Sequence, residues 1–405
     1  VNFTDKSTGN PTSWEWDFDN DGTPDLSYDS SNIPATIQHT YTSTGWYTVK
    51  LTVTGPVGSD TCIKEKFILV ADNIWYVNGD GGDDGNGGTS WSDAWKTIGK
   101  ALSVAGDYDL VLVADATYNE TNLNFNGKKI YLKGVDHNTA GAQPVIDCQQ
   151  AGRAFYFGSG ETEDSVVDNF TIKNGKADRG GAIYCEHSSS PTIRNCRFSD
   201  SKADCGGAIC CDDSSNPIIS NCTFSNNSAY QQHGGAIYCS SSSPTITGCT
   251  FSGNTAHLDG GAIYCLSSSS SITNCAFYDN SATGSHYNYG GAILCNRSTV
   301  CITNCTFSNN SADYGGAITC TSSNSTLNNC ILWGDSPGTS GNEIYIAEPR
   351  SSCTLNHCCV DNTGYGGYTG NITENNCIHQ DPQFVDAAGG DYHLKDTSPC
   401  IDAGD

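Results

Sequence analysis

Methionine is absent from the 405 residues, and lysine and arginine together number only 19 against 44 acidic residues. No apolar run approaches the ~18 residues needed to cross a bilayer, so no membrane span is expected. The formal charge of −25 repels nucleic acid and anionic membrane surfaces, and excludes both as partners. Long helix-forming runs are also missing, because Ser, Thr, Asn and Gly fill the space between short apolar triplets. A solenoid built from helix pairs is thereby excluded. With neither an initiator Met nor a leader-like segment, the chain is expected to be a processed or excised segment. The 22 cysteines include no C-x-x-C spacing, which removes the common zinc, redox and haem patterns. In an acidic, Ser/Thr/Asn-rich chain, such cysteine usage points to an oxidising, extracellular or cell-surface location.

What is present is a repeat. The line Gly-Gly-Ala-Ile-x-Cys opens at Gly180, Gly206, Gly234, Gly260, Gly290 and Gly315, at separations of 26, 28, 26, 30 and 25 residues. A unit this short cannot enclose a core and must stack on its neighbours. Within the copy from Gly234 to His257 three strands are predicted. Ala236 to Cys239 points Ile237 and Cys239 inward, Thr245 to Thr247 follows a turn, and Cys249 to Phe251 points Cys249 and Phe251 inward. Ser252 to Asp259 reads as a loop back to the next glycine pair. The pattern predicts an all-β chain whose larger part is a right-handed parallel β-helix, with Phe198, Phe224, Phe251, Phe277 and Phe307 in one inward column. Val166 to Asp178 fits as an earlier coil, with Phe170 and Ile172 in the Cys and Phe columns, and looser coils are expected to about Cys377. Two insertions break the register, Tyr230 to His233 and Thr283 to Tyr289.

Two cysteine columns run through the repeat: 185, 211, 239, 265, 295 and 320, then 196, 222, 249, 275, 305 and 330. Coil spacing of ~4.8 Å holds parallel Cβ atoms slightly beyond the usual disulfide value, so buried thiols and disulfides both stay open for them. Cys62, Cys148, Cys205, Cys210, Cys301, Cys353, Cys358, Cys359, Cys377 and Cys400 lie outside the columns and are the expected bridges. Asn195, Asn221, Asn274, Asn304 and Asn329 align at a bend, with Gly248 in the gap. Asparagine tolerates left-handed backbone there and can bond to the next coil. Ten Asn-x-Ser/Thr sequons occur; Asn221 and Asn304 are expected buried and bare, Asn226, Asn296 and Asn309 in loops.

Residues 1–72 have no repeat. Ser13-Trp14-Glu15-Trp16-Asp17-Phe18-Asp19, followed by His39-Thr40-Tyr41 and Gly45-Trp46-Tyr47-Thr48-Val49-Lys50-Leu51-Thr52-Val53, closely resembles the PKD (polycystic-kidney-disease) domain. The resemblance implies an extracellular seven-stranded β-sandwich serving as spacer or adhesive module. A further strand usually precedes the equivalent of Val1 in that family, so an open edge is expected here. Asp17, Asp19, Asp21 and Asp25 surround Gly22 as D-x-D-x-D-G-x-x-D. Hard carboxylate oxygens at alternate positions suit Ca²⁺, although Tyr28 stands where an EF-hand has its last acid. Asn78, Asp80, Asp83 and Asp84 form a second, weaker candidate.

Residues 73–115 read as a strand, a Gly/Asp loop and one amphipathic helix, with Asp93 as cap and Ile98, Ala101 and Leu102 facing the solenoid. The segment resembles the N-terminal cap of secreted right-handed β-helix proteins, a group that includes polysaccharide lyases and many surface proteins without activity. The solenoid proper is assigned to 116–380. Its Gly-Gly-Ala-Ile and Phe-x-x-Asn elements are similar to the repeats of polymorphic outer-membrane adhesins. Residues 381–405, from Asp381-Pro382-Gln383-Phe384 to Asp402-Ala403-Gly404-Asp405, resemble the tail of "choice-of-anchor" surface β-helix proteins, and stop one strand short of it. These resemblances imply a structural or adhesive surface protein, self-associating head-to-tail through its two open ends into a fibre and contacting surface polysaccharide. The alternative is a carbohydrate-active lyase or hydrolase on the same scaffold. Its candidate acid–base groups are Lys176, Asp178, Lys202 and Asp204, stacked on adjacent coils with Arg179, Arg194 and Arg197 nearby.

Overall fold

The computed structural model describes residues 1–284 and 287–404 and divides them into two compact units: Val1–Ile74 with Ala105–Leu110, and Trp75–Val104 with Val111 onward. In the first, Leu26–Asp29, Ser13–Asp17, Gly45–Gly55 and Gly58–Val70 form an antiparallel sheet in that order, and Asn2–Phe3 pairs with Ile37–Gln38. Six described strands thus stand where the resemblance implied seven. Alternation in Ser13–Asp17 turns Trp14 and Trp16 inward onto Phe3, Phe18, Ile37 and Val49. A bulge at Lys66, whose φ is +45°, leaves Phe67 half exposed. Between the sheets lies a cavity of about 510 Å³ bordered by Phe3, Trp16, Leu51 and Phe67.

The second unit is a right-handed parallel solenoid. Its coil carries four strands where three were predicted. Ile237–Ser240, Thr245–Thr247 and Thr250–Ser252 occupy the expected places, and Thr255–Ala256 adds a fourth within the predicted loop. Stacking these strands generates parallel sheets of nine, twelve, ten and six strands. Pairing runs in strict register, so that Ile237 opposes Ile263 and Phe251 opposes Phe277. Ile172 opposes Phe198, which places Val166–Asp168 and Thr171–Lys173 in the earlier coil. Of the Thr283–Tyr289 insertion, Ser285 and His286 lie outside the described residues, as does Asp405 of the tail.

The glycine pair is dictated by the stacking. Gly234 has φ +70°, and a Cβ on Gly235 would stand 2.0 Å from the Gly261 carbonyl oxygen of the next coil. The phenylalanine column is as expected: neighbouring rings from Phe198 to Phe307 lie 4.7–4.9 Å apart and nearly parallel, all at most 1% exposed.

The asparagine column differs. Asn195, Asn221, Asn274, Asn304 and Asn329 do take left-handed backbone, with Gly248 at φ +65°. Asn221 and Asn304 are nevertheless exposed, not buried, because the left-handed residue turns outward at the corner. The stacked amides belong to the next corner, one strand later. Asn227, Asn254, Asn280 and Asn310 are fully enclosed there. Each Nδ2 donates to the following Oδ1 at 2.9–3.0 Å, and Asn310 ends the chain by donating to Asp335 at 2.8 Å.

All 22 cysteines are thiols in the structure. Cys358 and Cys377, set apart above as bridge candidates, continue the second column, since each follows a left-handed corner residue (His357, Asn376) as the column cysteines do. The capping helix is Ile98–Val104, with Ile98, Ala101 and Leu102 buried. Asp93 does not cap it; its carboxylate accepts from Gly87 N–H and Thr89 Oγ1. Glu120 caps instead, accepting from Ile98 and Gly99 N–H at 2.8 Å each.

Candidate functional sites on the solenoid and in the acidic loop

Stacking brings the Lys and Asp candidates together as predicted. Lys176 opposes Lys202 in a parallel bridge, and Asp204 N–H donates to the Asp178 carbonyl at 3.0 Å. The two carboxylates are then engaged locally, although Asp204 Oδ1 is buried without a hydrogen-bond partner. Asp178 is ion-paired with Arg153 at 2.7 Å, and Asp204 receives the Tyr230 hydroxyl. Arg179 pairs with Asp212 from the next coil. Arg194 and Arg197 lie elsewhere, on the twelve- and ten-stranded sheets, and Arg194 is held by Asp168 and Tyr131.

Across the glycine corner the nine-stranded sheet adds groups that the sequence reading passed over. Tyr156 and Tyr184 donate to the two oxygens of Glu186 at 2.6 and 2.7 Å. Burial works against the Glu186 charge, but the two phenols outweigh it and hold the carboxyl below its usual value. Burial raises the Tyr184 hydroxyl, as does its bond to Glu186. Such a mutually satisfied cluster fixes a surface; a general base needs an unshared lone pair within reach of a substrate proton.

A second concavity lies between the last coils and the C-terminal hairpin Phe384–Asp386 and Asp391–Leu394. About 940 Å³ in volume, it is lined by Asp279, Asn309 and Trp333 from successive coils and by Asp381, Phe384 and Tyr392 from the tail. Tyr392 packs against Tyr278 at 5.0 Å with the rings tilted by 36°, and meets Phe384 edge-on at 5.3 Å. Burial and then the Asp279 charge push its hydroxyl up to about 12. The sequence does carry a signal for this groove. The outward column Ser199, Ser225, Ser252, Tyr278, Ser308, Trp333 changes from serine to aromatic twice, both times beside it.

In the first unit, Asp17, Asp19 and Asp21 bring one oxygen each within 4.8 Å of one another. Asp17 is 3% exposed, and its Oδ1 is buried without a hydrogen-bond partner. That orphaned oxygen, beside two exposed carboxylates, fits a hard divalent cation such as Ca²⁺. Asp25 does not converge on them; it accepts from Phe18 N–H at 2.7 Å and braces the turn. The weaker set is likewise occupied structurally. Asn78 accepts from Asp80 N–H, Asp83 from Gly85 N–H, and Asp84 from Lys96 and Thr97 N–H.

No curated protein matches this sequence. Among solved structures, a rhamnogalacturonan lyase superposes with a TM-score of 0.50 at 14% identity, over 77% of this chain and 90% of its own. Pectate lyase Pel9A gives 0.41 at 14% identity, over 83% and 92%. At these identities the likeness is one of fold. The family model for the right-handed β-helix region matches residues 114–292 and 236–399, and that for the PKD domain matches residues 1–70. The chain belongs to the right-handed β-helix family and carries a PKD domain at its N-terminus.

Proposed function

We propose that this is an extracellular or cell-surface adhesive protein that holds polysaccharide in the groove beside its C-terminal hairpin. The observation that carries this reading is the groove itself: Trp333, Phe384 and Tyr392 offer apolar ring surface, and Asp279, Asn309 and Asp381 offer acceptors and a donor around it. Pyranose rings present C–H faces to aromatic rings and hydroxyls to carboxylates and amides, so a hydroxyl-rich glycan meets both halves of the lining. The paired state of the Arg153–Asp178 and Arg179–Asp212 groups favours binding over cleavage. Ca²⁺ at Asp17, Asp19 and Asp21 rigidifies the PKD domain, and the open edge of the last coil carries self-association.

A panel of neutral and uronate polysaccharides, titrated against the full chain, tests the reading. Trp333→Ala is expected to weaken binding at least tenfold, whereas Tyr230→Ala, on another face, leaves it unchanged. No binding by any glycan, or equal binding by Trp333→Ala, overturns the proposal. Unsaturated product from a uronate polymer, followed by its ultraviolet absorbance, would establish the lyase alternative.

A further inference from the structure

Every coil presents two residues at one outward corner: the one before the glycine pair, and x in Gly-Gly-Ala-Ile-x-Cys. The first position holds Arg179, Cys205, His233, Asp259, Tyr289 and Tyr314; the second holds Tyr184, Cys210, Tyr238, Tyr264, Leu294 and Thr319. Cysteine occurs once in each column, and both instances fall in the same coil. The two positions meet across the corner. In the coil of Gly315, Thr319 Oγ1 donates to the Tyr314 carbonyl at 3.0 Å. In the coil of Gly206, Cys205 and Cys210 pack with Tyr184 in one buried cluster, flanked by Tyr156 and Tyr238. Each thiol shifts the other's protonation, and Cys210 Sγ donates to Asp212 Oδ2 at 3.7 Å.

This arrangement differs from that of the column cysteines. Those stack between coils with parallel Cβ vectors, so the coil spacing of ~4.8 Å separates their Cβ atoms. Cys205 and Cys210 instead face each other within one coil, across the tight turn that Gly206 makes at φ +61°. A bridge here asks for no change in coil spacing.

We propose that Cys205 and Cys210 close into an intra-coil disulfide, a redox-dependent staple of this corner.

The surroundings assign a role to each sulfur. The neighbouring Cys210 thiol, working against burial, and the Arg179 charge one coil away hold the Cys205 thiol below its usual value. Burial pushes Cys210 up. Cys205 is therefore the attacking thiolate. With a small-molecule disulfide such as oxidised glutathione, Cys205 Sγ bonds to one sulfur and expels the other as a thiolate. Cys210 then loses its proton to that leaving thiolate, attacks Cys205 Sγ and displaces the second thiol. The protein loses two hydrogens, and one disulfide becomes two thiols. The staple locks the corner that presents Arg179 to Asp212 and supports Tyr184 and Tyr238 from behind.

A protease that cuts before aspartate releases Asp204–Cys211, which contains Cys205, Cys210 and Cys211. The full chain is equilibrated with oxidised glutathione, then unfolded in acid with a maleimide, digested and weighed. The expected peptide carries one maleimide, on Cys211, and lacks two hydrogens. Cys205→Ser is expected to yield maleimide on both Cys210 and Cys211, and Cys210→Ser to leave glutathione disulfide-bonded to Cys205 with maleimide on Cys211. Three maleimides on the wild-type peptide overturn the proposal, as does fragmentation that places the bridge at Cys211.

Discussion

Phe251 lies between Phe224 and Phe277, 4.7 Å from each and fully enclosed. Its removal opens a cavity that neighbouring coils cannot collapse, because their strands are held in register on both sides. Phe251→Ala is expected to lower stability by about 3–5 kcal/mol, measured by denaturant unfolding of the full chain. Asn254 presents a different cost. Its Nδ2 serves Asn280 Oδ1 and the Phe224 carbonyl, while its Oδ1 serves the N–H and the amide of Asn227. Asn254→Ala strands several of these groups at zero exposure, at about 1–3 kcal/mol for each left unpaired. The surface change Asn226→Gly, which keeps the left-handed backbone of an exposed corner, serves as the control. Sequence alone set the wrong asparagines into this ladder, and the reason is geometric. Period-two alternation holds along a strand, but a left-handed corner reverses it, so the asparagine that starts a corner points out and its successor points in.

The ladder is polarised, and that decides what stands at its end. Every amide donates toward the C-terminal coils, so the last acceptor must be an atom with lone pairs and no proton, and Asp335 supplies it. Glu343 faces Asp335 from the next stretch, with Glu343 Oε1 accepting Gly334 N–H. Burial, and then the Asp335 charge, push Glu343 up from 4.5 to about 11, while burial raises Asp335 to about 6. At neutral pH the pair shares one proton, carried by Glu343. The folded chain thus binds a proton that the unfolded chain releases, so this pair's contribution to stability is fully present below about 4.5 and is lost as pH rises toward 11. Glu343→Gln keeps a donor facing Asp335 without a charge, and is expected to raise the melting temperature at pH 9 relative to pH 5. Unchanged pH dependence in that variant would remove the assignment. The acidic loop is the complementary case, readable because its residues are contiguous and the turn at Gly22 folds them together. Calcium titrated into the full chain should give heat at one site, and Asp17→Asn should abolish it, because it replaces the buried unpartnered oxygen.

At the scale of the molecule, the repeat made the architecture legible: a period of 25–30 residues with small glycine corners admits little besides a stacked β-coil. The groove escaped notice because it depends on the tail returning onto the coils of Asp279, Asn309 and Trp333; the aromatic residues at 278 and 333 mark those coils but do not encode the return. The same stacking that builds the solenoid leaves its final strands as edges. Ile372–Asn375 ends the twelve-stranded sheet and exposes most of its length. Such an edge is a template for another chain, and the proposed self-association uses it. The opposing force is the charge of −25 per chain, which repels copies over roughly a Debye length, ~10 Å at 0.1 M salt. The two effects scale differently with salt, since backbone pairing is insensitive to it and the repulsion is screened. Sedimentation of the full chain at increasing salt should therefore show a shift from monomer to head-to-tail oligomers. Replacing Glu374 with proline, which removes an N–H that points away from the neighbouring strand Ser352–Asn356, should hold the chain monomeric at every salt concentration. Monomers throughout for the unaltered chain would rule the association out.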